Sequence, residues 1–207
     1  GATSGAQFAT QPKLNIEDSA GNIVADSTLS IDVTETETQV LAGTRSIAAT
    51  AGQVDFTGSG MMLSGDVATG LTLKYAITFN GTEISTTQSI NLDPGLAVAL
   101  TIGQQPTTVK TRVAFNPVPT VVLRDASGNQ VTSDSSSTVT AQLKDAGGNP
   151  VGAETAAFTA AGGLVTFTAP DYDSLIDHPV EMGVLQTQSY DALGVQHVFA
   201  VYGADQD

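Results

Sequence analysis

Apolar and polar residues alternate along much of this chain, and the alternation comes in short runs. Residues 13–17 place Leu14 and Ile16 on one face, Leu29, Ile31 and Val33 follow at a spacing of two, and Val54 and Phe56 point the same way within 53–57. A period of two marks a strand with one buried face. The longest run, 71–79, ends at Asn80-Gly81, the strongest hairpin dipeptide, and 84–92 returns, so 71–92 is predicted to be a hairpin. The second half repeats the pattern at 96–102, 120–124, 138–143 and 163–168. Residues 180–188 and 195–202 are predicted to close it as a hairpin across 191–194. No segment sustains a helical period, and Met61-Met62-Leu63 and Ser174-Leu175-Ile176 are expected as single turns inside loops. Short strands at this spacing, punctuated by Gly, Asn and Asp, predict an all-β fold of sandwich type.

The pattern repeats at the level of residues. Phe8, Pro12, Leu14, Ile16, Asp18, Gly21, Asn22 and Val24 recur as Phe115, Pro119, Val121, Leu123, Asp125, Gly128, Asn129 and Val131, each 107 positions later. About 100 residues is the size of one β-sandwich, so the chain is read as two tandem modules. They span 1–94 and 95–207 and meet at the turn Asp93-Pro94-Gly95. Gly52-Gln53-Val54-Asp55-Phe56-Thr57 corresponds to 163–168 at an offset of 111, so module two carries extra residues between the matches. A third turn of the same kind is expected at 145–150. Module two has a strand at 96–102 before its motif, whereas the counterpart in module one would fall before Gly1. Module one is therefore expected to lack its first strand. Either the chain is a processed product or piece of a longer one, or another polypeptide supplies the strand by β-augmentation.

These motifs resemble the bacterial immunoglobulin-like repeats of very large surface proteins, closest to the invasin/intimin-type group and related adhesin stalk modules. The resemblance is carried by Leu100-Thr101-Ile102-x-x-Gln105-Pro106, Phe-x-x-x-Pro before the strand, Asp-x-x-Gly-Asn-x-Val, Gly-x-x-x-Phe-Thr and the closing hairpin. It covers most of the chain, with 170–207 matching in strand pattern alone. It implies two tandem immunoglobulin-like β-sandwiches in an extracellular, non-catalytic protein that spaces or presents a binding surface. Such modules also occur on phage and other virion surfaces. The resemblance brings no catalytic residues with it.

Composition narrows the function classes. Hydrophobic residues make up 41% of the chain, as in a globular protein, while 21 acidic against 7 basic residues give a net charge of −14. Such a surface repels phosphate backbones and anionic head groups, so neither nucleic acid nor membrane insertion is expected, and no run reaches the roughly 18 apolar residues of a membrane span. The absence of Cys excludes disulfides and thiolate chemistry. With no Trp and four Tyr, the aromatic platforms of a sugar site are scarce, and a glycan ligand has no support.

Candidate chemistry is sparse. His178 and His197 are the two histidines, with no nucleophile-elbow pattern near either, and both are read as structural or surface residues. Asp171, Asp173, Asp177 and Glu181 form the densest acidic cluster and are the candidate calcium ligands, since hard cations need several converging oxygens; the alternative is a solvated acidic loop. The Asp-x-x-Gly-Asn turns are better explained as tight reversals capped by Asp than as metal sites. Glu35-Thr36-Glu37 reads as an exposed edge whose charges discourage pairing, 133–138 as a polar flexible loop, and Lys74 as outward-facing. Asn80-Gly81-Thr82 fits a glycosylation sequon but is taken as a turn. The functional expectation is a non-enzymatic structural or adhesive protein of the cell exterior, working with other modules or subunits of a larger assembly. The alternatives are a capsid decoration or fibre protein and a filament subunit completed by a neighbour's strand.

Overall fold

The computed structural model describes residues 1–110, 113–144, 147–151, 154–168, 185–187 and 196–201. It is all-β, with no helix among these residues. The chain divides into two compact units, Gly1–Gly95 and Leu96–Asp207.

Unit one holds nine strands: β1 (Ala2–Thr3), β2 (Lys13–Asn15), β3 (Ser30–Glu35), β4 (Val40–Ala42), β5 (Ser46–Ala48), β6 (Gln53–Asp55), β7 (Met62–Ser64), β8 (Ala68–Phe79) and β9 (Thr82–Asp93). The main sheet runs β1-β9-β8-β3-β5, with β1 parallel to β9 and the other neighbours antiparallel. Two further pairs, β2-β6 and β4-β7, complete the unit. The apolar faces meet in one core. Ile31, Val33, Leu71, Leu73, Tyr75 and Leu92 come from the main sheet, Ile16, Val54 and Phe56 from in and around the β2-β6 pair, and Leu41, Met61 and Leu63 from in and around β4-β7. Phe56, Met61 and Leu63 are fully buried, each stabilising the unit by about 1.5–3 kcal/mol relative to exposure.

The predicted hairpin is β8-β9. Its turn places Asn80 and Gly81 at φ 49 and 78, the positive values that a two-residue turn needs to match strand twist. One expectation fails here. Met62–Ser64 is a strand paired with β4, not a turn, because Met61 and Leu63 have a core to enter. At Glu35-Thr36-Glu37 the chain is paired by β8 on one side, with Glu35 opposite Leu73, while β5 reaches only Ser30–Asp32, and Thr36 and Glu37 are exposed. The Glu37 carboxylate accepts the Thr36 hydroxyl at 2.7 Å and the Thr72 N–H at 3.1 Å.

Unit two holds β10 (Ala99–Gln104), β11 (Thr108–Lys110), β12 (Val113–Asn116), β13 (Thr120–Arg124), β14 (Thr138–Lys144), β15 (Pro150–Val151), β16 (Phe158–Thr159), β17 (Leu164–Thr166), β18 (Leu185–Thr187) and β19 (Gln196–Val201). One sheet runs β10-β13-β17, and another runs β15-β14-β19-β18 with β16 also on β14. The first strand begins later than the alternation suggested: Leu96 is 86% exposed, and Leu100 is the first residue of β10 to be buried. The closing strands β18 and β19 pair antiparallel, but it is β19, running parallel, that lies beside β14, whereas β3 in unit one is met antiparallel by β8. The two units are therefore not copies throughout. They coincide in the repeated segment, and residues 133–138 there are tied down rather than loose. Asp134 accepts the Ser136 and Ser137 N–H groups and the Ser137 hydroxyl, and the Gly163 N–H donates to its carbonyl at 2.7 Å.

Candidate functional site

The repeated turn is built identically in both units. Asp18 accepts the Ala20 and Asn22 N–H groups, each at 2.9 Å, and its carboxylate also takes the Asn22 amide. Asp125 accepts the Ser127 and Asn129 N–H groups at 2.9 and 2.8 Å and the Asn129 amide at 2.9 Å. The hydrogen bonds from Asn22 and Ala20 hold the Asp18 carboxyl below its ordinary value. Each carboxylate accepts the donors of its own reversal, the geometry of an Asp-capped turn. Among the described residues no group of three or more His, Asp or Glu is placed to hold a metal ion. The calcium candidates Asp171, Asp173, Asp177 and Glu181 lie outside the described residues, as do His178, the Asp145 that opens the third turn, and Ser174-Leu175-Ile176. His197 falls in β19, opposite Thr140. Lys74 is half-exposed and pairs with Glu83 across the hairpin.

The second half of the repeat explains its glycine. Gly52 and Gly163 sit at φ +74 and +72, and a Cβ on either would lie 2.4 Å from the carbonyl oxygen of Val24 or Val131 respectively. Their own carbonyls accept the Ile16 and Leu123 N–H groups, both at 2.8 Å. Motif Val and motif Gly therefore touch, and β2 and β13 are positioned alike against β6 and β17: Leu14 faces Val54, and Val121 faces Val165.

The difference between the units lies on the other side of these strands. β13 has β17 on one edge and β10 on the other, with Leu100 opposite Leu123 and Ile102 opposite Val121. β2 has β6 on the equivalent edge, and among the described residues no strand pairs with its second edge. Burial follows: Val121 is 0% exposed, whereas its counterpart Leu14 is half-buried. Asp125 is 4% exposed, whereas Asp18 is exposed.

Where β10 would lie, unit one has an open trough between β2 and the β8-β9 hairpin. Two hollows of about 760 and 880 Å³ run end to end and share Leu14, Tyr75 and Thr86. The first is floored by Leu29, Ile77, Phe79 and Ile84, of which Phe79 and Ile84 are 52% and 54% exposed. Glu17, Asp18 and Asp26 line its end, with no basic residue. Burial raises the Tyr75 hydroxyl to about 12, so it stays protonated and donates to the Gln88 side-chain oxygen at 2.7 Å.

Residues 1–8 do not fill the trough. The Ser4 N–H donates to Asp93, Gly5 to Leu63 and Phe8 to Met61, and Ala2 enters the core, so this segment lies along β9 and β7. The repeat marked β2 and β13 as counterparts, but not the trough, whose floor is assembled from segments far apart in the chain. A free sheet edge beside an apolar trough is suited to holding an extended peptide. Comparison with protein families, curated proteins and solved structures finds no match for this chain.

Proposed function

We propose that this chain is a non-catalytic structural or adhesive protein of the cell exterior, built of tandem immunoglobulin-like modules that space or present a binding surface. The observation that supports this most is the recurrence of one strand pair, turn and glycine contact in two separate units. A repeated self-contained core is what a spacer needs, because each unit then bears load through its own core. The acidic surface, at a net charge of −14, limits self-association of such an array. Single-molecule stretching of the tethered chain is the test. Two unfolding steps, each lengthening the chain by roughly 30 nm for about 100 residues, are expected. Extension without two resisted steps would sink the spacer reading.

A further inference from the structure

We propose that the open edge of β2 is a strand-acceptor site. Its occupant is an extended segment donated by another polypeptide, running antiparallel to β2, with aliphatic side chains at alternate positions and a cationic residue at its leading end. The inference does not depend on the spacer reading.

The occupant's backbone follows from β2 itself. Phe56 donates to the Pro12 carbonyl and Ile16 donates to Gly52, so these residues turn their main-chain groups towards β6. Main-chain groups of successive strand residues face opposite edges, which leaves those of Lys13, Asn15 and Glu17 on the open side. In unit two the corresponding group is engaged: the Arg124 carbonyl, at the position of Glu17, accepts the Val98 N–H at 2.8 Å. Direction comes from the same comparison. β10 runs from Ala99 opposite Arg124 to Gln104 opposite Thr120, which maps onto a strand starting at Glu17 and ending at Lys13.

The side-chain chemistry follows from the trough. In unit two, Leu100 is buried and Ile102 packs on the core, two residues apart. In unit one the equivalent space is floored by exposed Phe79 and Ile84 beside half-buried Leu14. The starting end meets Glu17, Asp18 and Asp26, so a lysine or arginine there is matched in charge. Nothing in unit one fills the site: residues 1–8 are held on β7 and β9. β10 is held by β13.

The test uses the 207-residue chain and a synthetic peptide carrying residues 96–104 with an added amino-terminal lysine. Saturating peptide should slow exchange of the Lys13, Asn15 and Glu17 amides by about tenfold or more, and a scrambled peptide without the alternation should not. Asn15→Pro removes an open-edge N–H and keeps the main-chain bonds to β6, losing there one exposed side-chain bond from Gln53, and Ile84→Asp puts a charge in the trough. Each should weaken binding by about tenfold while leaving the melting temperature within a few degrees of the parent. The proposal is overturned by no protection at millimolar peptide, by equal protection from the scrambled peptide, or by variants that bind like the parent. Protection that arises only when the peptide is fused to Gly1 also overturns it, because the site would then be intramolecular.

Discussion

Gly52 and Gly163 show how much a single residue position can demand. Both combine a positive φ with a backbone oxygen 2.4 Å from where a Cβ would stand, so neither side-chain movement nor a change of rotamer relieves the clash. Gly52→Ala and Gly163→Ala are each expected to destabilise their unit by about 2–3 kcal/mol, measured by urea denaturation. Ala at the exposed Gly81, which has open space around it, should cost less. Charged residues make a second prediction. The Lys13 side chain, 2.7 Å away, and Thr57 hold Asp55 at about 2, while the hydrogen bonds of Asn22 lower Asp18 and those of Thr36 and Thr72 lower Glu37. A carboxyl depressed in the folded state binds fewer protons there than in the unfolded chain. Its stabilisation is therefore present above the ordinary value of 3.8 and is lost as pH falls towards about 2. Urea midpoints should fall between pH 4 and pH 2, and Asp55→Asn should flatten that fall.

Among the strands, equivalent positions differ because their neighbours differ. Leu14 and Val121 occupy the same place in β2 and β13 and face the same kind of partner, yet only Val121 is fully buried. Truncation should reveal this difference. Val121→Ala should cost about 2 kcal/mol and Leu14→Ala less than half of that, although leucine loses more carbon. Equal costs would mean that β2 is covered in solution. At this scale the sequence was most legible where one element supplies its own signal: the alternation of β8, the Asn80-Gly81 turn and the inward Val54 and Phe56 all fold as read. β4, β5 and β7 were not legible: β2 and β6 are as short, but their alternation runs on to Ile16 and Phe56, whereas the pairing of β4 and β7 is set by Met61, Leu41 and Leu63 finding the core.

For the whole molecule, a net charge of −14 works against compactness through self-repulsion. Salt shortens the reach of that repulsion to about 10 Å at 0.1 M. Raising sodium chloride from 20 to 200 mM should therefore raise the melting temperature by about 2–5 °C, read by circular dichroism. Partners meeting this surface would carry positive charge, in line with the cationic leading end argued for the strand-acceptor site.

The sequence by itself determined the strand type, the repeat and its turn, because each rests on local chemistry: alternation, positive-φ residues and Asp capping its own loop. Only the tertiary structure decided how the repeat is packed. The contact between Val24 and Gly52, the placement of residues 1–8 on β7 and β9, and the exposure of Phe79 and Ile84 beside a free β2 edge join residues far apart in the chain. Such contacts depend on which strands become neighbours, and the period of a strand carries its face but not its partner.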